Sequence, residues 1–145
     1  MIALASDHAG FAYKEKTRAL LTDMALPFLD FGAHSEESSD YPDYAHTASL
    51  AISSGECDRG IFICGSGIGM SIVANKHTGI RAAACETVEA AELSRKHNDA
   101  NVLCLGERLV SWDEAQAIIR IFLKTDFEGG RHERRVAKIH SLTSR

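Results

Sequence analysis

The sequence predicts an α/β fold, a five-stranded parallel sheet sandwiched between two layers of helices. Three observations carry the prediction. Short apolar runs alternate with longer amphipathic stretches along the chain, the pattern of successive βαβ units. The runs are apolar at nearly every position, as strands covered on both faces require. The 145 residues, 45% of them hydrophobic, are enough for one domain with a substantial core. No repeat, low-complexity tract or linker breaks the pattern, so residues 1–145 read as one domain.

Ile2–Ala5 is the first strand, closed by a turn at Asp7, His8 and Gly10. Phe11–Met24 reads as helix, with Lys14, Glu15, Lys16 and Arg18 set against Tyr13, Leu20 and Leu21. Phe28–Phe31 is a second strand, stopped by Gly32. The polar stretch 33–40 is an exposed loop closed by Tyr41-Pro42, and Tyr44–Ser53 is helical. Gly60–Cys64 is the clearest buried strand: short, β-rich and bounded by glycine on both sides. Ser71–Lys76 reads as helix, Ile80–Cys85 as strand, Val88–His97 as helix, Val102–Leu105 as strand and Trp112–Lys124 as helix. Phe127-Glu-Gly-Gly130 marks a turn. Beyond it Val136, Ile139 and Leu142 recur every three residues, a narrow apolar stripe on a terminal helix. With little of its own body to cover, this helix is expected to be an arm that packs on a neighbouring molecule.

The net charge of −4 hides an asymmetry. Residues 1–130 hold 11 basic and 19 acidic side chains, net −8, while residues 131–145 hold five basic and one acidic, net +4. A basic element on an acidic body suggests an anionic ligand, a docking contact with the body, or both. The acidic balance argues against general nucleic-acid binding. No apolar run approaches the roughly 20 residues of a membrane span, and the first residues lack the basic start and long apolar stretch of a signal peptide. Cys57, Cys64, Cys85 and Cys104 form no CxxC pair, so free thiols in a reducing cytoplasm are expected. The seven histidines show no metal-ligand spacing, and no metal site is expected.

Ligands of open α/β sheets bind at the carboxyl ends of strands, near the point where strand order reverses. Four features are predicted to meet there: Asp7-His8, Cys64-Gly-Ser-Gly-Ile-Gly69, His97-Asn98 and Arg108. The three glycines of the second feature allow several backbone N–H groups to face one small space, suiting a phosphate or an oxyanion; tight packing of the turn is the alternative. The glycines match neither a dinucleotide fingerprint nor a P-loop. Cys64 is either an ordinary buried strand residue or a thiolate stabilised at the mouth of the turn. The other three cysteines have no such setting. Asp7 and His8 read as a turn or cap, or as groups orienting a hydroxyl and donating to an anion. His97 is either a partner of its helix's C-terminal dipole or a general acid–base. Arg131 and Arg135, four apart, share a helical face and can fork onto a phosphate; a solvated charge run is the alternative. Arg134 points elsewhere, to solvent or a salt bridge.

Taken together, the segments Ser6-Asp-His-Ala-Gly-Phe11, Asp40-Tyr-Pro-Asp-Tyr44, Ile63-Cys-Gly-Ser-Gly-Ile-Gly69, Ala74-Asn-Lys76, Gly79-Ile-Arg81, Ser94-Arg-Lys-His-Asn-Asp-Ala-Asn-Val102 and Phe127-Glu-Gly-Gly-Arg-His132 resemble, in order, the type B ribose-5-phosphate isomerases. That family also contains allose-6-phosphate isomerases and galactose-6-phosphate isomerase subunits, and the resemblance covers essentially the whole chain. It implies a Rossmann-like three-layer sheet of order 2-1-3-5-4 and an aldose–ketose isomerase interconverting D-ribose 5-phosphate and D-ribulose 5-phosphate, a step of the pentose phosphate pathway. Cys64 matches the base that moves a proton between C2 and C1, and His97 the residue of proton donation and ring opening. Asp7 assists ring opening, and Ser66 keeps a hydroxyl where many members have threonine. The turn Gly65, Ser66, Gly67, Ile68 and Gly69 resembles the hole for the enediolate. His8, Arg131 and Arg135 match phosphate ligands; Tyr41, Asn98 and Arg108 match further substrate contacts. No cofactor or metal is implied. Family members are dimers, some pairing to tetramers, with each site built from two chains.

One branch of the family uses a glutamate six positions after the cysteine position; here that residue is Met70, so this chain resembles the cysteine branch. Galactose-6-phosphate enzymes use two different subunits, one lacking the catalytic pattern, whereas this chain carries the full set and is expected to be a homo-oligomer. A six-carbon substrate such as allose 6-phosphate is the alternative within the family. A non-catalytic sugar-phosphate-binding regulator is the alternative outside it, disfavoured by the presence of both Cys64 and His97.

Overall fold

A computed structural model describes residues Met1–Arg145. Five strands, β1 (Ile2–Ser6), β2 (Phe28–Asp30), β3 (Arg59–Cys64), β4 (Ala82–Ala84) and β5 (Val102–Gly106), form one sheet. Its order is β2-β1-β3-β5-β4 and every neighbouring pair is parallel, as the resemblance implies. The connections are α1 (Phe11–Asp23), α2 (Tyr41–Ser53), α3 (Ile68–Ala74) and α4 (Val88–Asn98); α5 (Trp112–Lys124) and α6 (Arg131–Thr143) follow β5.

Strand periodicity sorts the core into two halves. Ile2, Leu4, Ile61, Ile63, Leu103 and Leu105 face α1, α4 and α5, meeting Leu21, Ala91, Ile118, Ile119 and Phe122. Ala3, Ala5, Phe62, Cys64, Val102 and Cys104 face α2 and α3, meeting Ala45, Ala48, Ile52, Met70 and Ala74. The second face is lined largely by alanines, which lets α2 approach the sheet and leaves Phe62 and Met70 as its large fully buried fillers. Cys57, Cys85 and Cys104 are all buried.

Several elements differ from expectation, among them α2, which begins at Tyr41 rather than Tyr44 with Pro42 in its first turn. α3 begins at Ile68 rather than Ser71, because Gly67 takes a left-handed conformation and starts the helix inside the glycine turn. β4 is trimmed to three residues: Arg81 spends its N–H on the Asn101 side chain and its guanidinium on Asn98 and Asp99 rather than on a strand ladder. α6, expected as an arm on a neighbouring molecule, is also attached to its own chain. Its first turn lies against α4 and buries His132, while Ile139 and Leu142 at its outer end remain exposed, Leu142 by 80%.

Candidate active site at the carboxyl edge of the sheet

β1 and β3 are adjacent, and the chain leaves them towards opposite edges of the sheet. Their carboxyl ends therefore open a crevice. A cleft of about 350 Å³ lies there, lined by Asp7, His8, Ala9, Tyr41, Cys64, Gly65, Ser66, Gly69, Arg108 and Leu109. Residues from three strand ends and the start of α2 thus converge on it.

Each side chain is held by local backbone chemistry. Asp7 is 6% exposed and caps the 3-10 turn His8–Gly10 by accepting the Gly10 N–H at 3.1 Å. Gly10 must be glycine, since a Cβ would sit 2.3 Å from the Ile63 carbonyl oxygen. His8 Nδ1 lies against the Ser39 backbone, 3.1 Å from its nitrogen and 3.2 Å from its carbonyl oxygen, which leaves Nε2 without a partner within the chain. The His8 N–H donates to Ser39 Oγ. The polar loop after β2 is therefore what orients His8. Tyr41, exposed at the start of α2, lays its ring over Gly69, where a Cβ would come within 2.8 Å.

Cys64 ends β3 and is 4% exposed. Its Sγ accepts the Gly67 N–H at 3.1 Å, so stabilisation of a thiolate comes from one aimed amide rather than from the seven-residue α3 as a whole. Ser66 Oγ accepts the Ile68 N–H at 3.2 Å, closing the turn. The loop after β5 is stitched to it: the Glu107 N–H donates to the Cys64 carbonyl at 2.9 Å and the Arg108 N–H to the Gly65 carbonyl at 3.1 Å. Gly106 allows this approach, since a Cβ there would meet the Ser66 backbone at 2.7 Å. The Arg108 guanidinium packs over Gly65 without a carboxylate partner, free for an anion. Glu107 beside it has a buried Oε2 with no hydrogen-bond partner; burial, with the charges of Glu36 and Asp7, pushes its carboxyl pKa up.

His97 and Asn98 were expected at this edge and are not there. α4 runs back from the carboxyl end of β4 to the amino end of β5, so the residues preceding β5 lie at the opposite, amino-terminal edge. Arg81, at the start of β4, clamps them by donating to the Asn98 and Asp99 carbonyls. Arg131 and Arg135 begin α6 beside them, both exposed and without acidic partners; Arg134 is exposed as well. Within one chain, Cys64, Asp7, His8, Tyr41, Ser66 and Arg108 form one group and His97, Asn98, Arg131 and Arg135 stay apart from it.

Beside His97 are two residues that sequence reasoning passed over, Glu128 and His132. The signal was the Phe127–His132 segment, which reads as a turn and as part of the family resemblance but with no role for Glu128 or His132. Ligand atoms of His97, Glu128 and His132 lie within 4.8 Å of one another. The two rings, however, are stacked with planes 15° apart. A metal ion lies in the plane of each imidazole that ligates it, and near-parallel planes share no such position. One ring would have to turn before an ion could bind.

The Ribose/Galactose Isomerase family matches residues 2–139. Ribose-5-phosphate isomerase B of Escherichia coli (strain K12) is 45% identical over 144 residues, 99% of this chain and 97% of that protein. The structure of Clostridium thermocellum ribose-5-phosphate isomerase B superposes with a TM-score of 0.97 at 49% identity, covering 99% of this chain and 97% of that one. Ribose-5-phosphate isomerase B from Mycoplasma genitalium, solved with bound ribulose 5-phosphate, gives 0.94 at 38% identity, covering 99% and 95%. Matched along almost its whole length in sequence and in fold, the chain belongs to the Ribose/Galactose Isomerase family.

Proposed function

We propose that the chain is a ribose-5-phosphate isomerase, interconverting D-ribose 5-phosphate and D-ribulose 5-phosphate, and that residues 1–145 act as one sugar-phosphate isomerase domain with 131–145 as its basic helix. The observation that carries this is the contact between Cys64 Sγ and the Gly67 N–H inside a cleft that also holds Asp7, His8 and Arg108. Named relatives and a ribulose 5-phosphate complex of one of them support the five-carbon substrate.

The chemistry follows from those groups. Cys64 as thiolate removes the proton from C2 of the open-chain aldose. The C–H electron pair becomes the C1–C2 double bond, and the carbonyl electrons move to O1 as an enediolate. The thiol returns its proton to C1 while the O2 hydroxyl proton passes to O1, so that O1 becomes a hydroxyl and O2 the ketone oxygen. The amides of the 65–69 turn other than those of Gly67 and Ile68, which serve Cys64 Sγ and Ser66 Oγ, face the developing negative charge; one such donor is worth about 3–4 kcal/mol of barrier. Asp7 assists ring opening, and His8 and Arg108 orient the anionic substrate.

His97, Asn98, Arg131 and Arg135 complete the site from a second copy of the chain, with His97 delivering a proton and the two arginines gripping phosphate. Their position at the far edge of the sheet, unpaired and beside one another, supports a homodimer in which each cleft faces the partner's α4–α6 end.

Cys64→Ala should reduce kcat by at least about a thousandfold; retention within tenfold would remove Cys64 as the base. Comparing kcat/KM for ribose 5-phosphate and allose 6-phosphate decides the sugar, with preference for the six-carbon substrate overturning the assignment.

A further inference from the structure

The ring of His97 makes no hydrogen bond within the chain. It lies face to face with the ring of His132, centroids 4.3 Å apart. His132 is 7% exposed, and its Nε2 lies 3.7 Å from Glu128 Oε2. Glu128 is in turn anchored to α4, its N–H donating to the Lys96 carbonyl at 3.1 Å, one residue before His97. The backbone path between them is built for this contact. Gly129 and Gly130 have φ of 65° and 56°, and Gly130 combines this with ψ of −129°, a region open essentially to glycine alone. The two glycines turn the chain so that the first turn of α6 sets His132 flat against His97.

We propose that His132 is a positioning residue for His97, its buried ring fixing the plane and direction in which His97 presents its proton to the substrate. The proposal rests on the reading of His97 as proton donor. Two stacked imidazoles repel when both are charged, whereas an imidazolium over a neutral ring is attracted to its π face. The groups facing His132 disfavour its charged form. From α4 comes His97; from its own end of the chain come Glu128, Arg131 and Arg135. Burial, then His97 and Arg131, push the His132 pKa down, with Glu128 acting against them. His132 is therefore disfavoured as the charged ring of the stack. A ring left free to rotate would lose the alignment on which proton transfer depends.

The test is the pH dependence of kcat and kcat/KM for ribose 5-phosphate in the full-length enzyme and its His132→Ala, His132→Phe and His97→Asn variants. His132→Ala is expected to lower kcat about 10- to 100-fold with KM within about threefold, and to shift the limb of the profile that His97→Asn abolishes. His132→Phe, which keeps a flat ring, should restore kcat to within about fivefold of the parent. An unchanged kcat and profile in His132→Ala overturns the proposal. So does a raised KM at constant kcat, which would make His132 a support for the arginine face. Equal loss in the Phe and Ala variants overturns it too, since the imidazole rather than the stack would then matter. If His97→Asn keeps full activity, the reading of His97 itself falls. Should His132→Ala fail to fold, an NMR titration of the His97 ring in His132→Phe decides: an altered midpoint supports the contact, an unaltered one overturns it.

Discussion

Gly67 concentrates several demands in one residue. Its φ is 77°, its N–H is the only donor to Cys64 Sγ, and a Cβ would stand 2.9 Å from the Leu105 carbonyl carbon. Left-handed strain and backbone overlap add, so Gly67→Ala should cost about 2–4 kcal/mol of stability in urea unfolding, with a larger loss of kcat than of stability would explain. Wild-type stability in that variant would refute the geometry. Glu107 makes the opposite prediction. An acid whose pKa is raised by the fold contributes fully below its ordinary value of 4.5 and loses that contribution as pH rises through the raised value. Glu107→Gln should therefore raise the melting midpoint at pH 7 by about 2 °C and leave it unmoved at pH 3.5. A gain of the same size at both pH values would separate the effect from ionisation.

α5 and α6 are both 13 residues long and differ in what holds them. α5 carries a capping box, with Ser111 Oγ accepting the Glu114 N–H at 3.2 Å and Glu114 Oε2 accepting the Ser111 N–H at 2.9 Å. It also buries Ala115, Ile118, Ile119 and Phe122. Periodicity and cap agree, and the observed span is the one the pattern predicts. Ser111→Ala should cost about 1 kcal/mol, measurable by thermal unfolding. α6 has a glycine N-cap with no side-chain bond and buries only His132. Its attachment should follow the protonation of that residue. A histidine with a lowered pKa stabilises the fold above its ordinary value of 6.5, and that contribution is lost as pH falls through the lowered value. Hydrogen-exchange protection of α6 should therefore hold above about pH 6.5 and drop as the pH falls below it, while α5 keeps its protection. Parallel loss in both helices would refute local undocking.

At the scale of the molecule, apolar surface and site incompleteness point the same way. Ile68 and Ile72 on α3 are exposed by 53% and 57%, and Ile139 and Leu142 on α6 are exposed as well. These are the faces a partner would cover if each cleft borrows the α4–α6 end of a second copy. Complementation checks this directly. Mixed and reassociated Cys64→Ala and His97→Asn subunits should recover about a quarter of wild-type activity, because half the dimers are hybrids with one intact site of two. No recovery, with hybrid formation verified by mass, would mean that each chain supplies its own Cys64 and His97.

What the sequence by itself determined was the alternation of strands and helices, the two-sided burial of the sheet and the meeting of Asp7, His8, Cys64 and Arg108 at one cleft. Each rests on local pattern: Cys64 precedes its glycine turn by one bond, and Asp7 stands next to His8. The strand order came from resemblance, since hydrophobic periodicity carries no information on which strands pair. Only the tertiary structure decided where His97 belongs. Adjacency to β5 suggested the carboxyl edge, but a helix that crosses back over a parallel sheet must end at the amino edge. The same fold placed His132 against His97, 35 residues away in the chain, through a turn at Gly129 and Gly130 whose conformations the sequence pattern did not reveal.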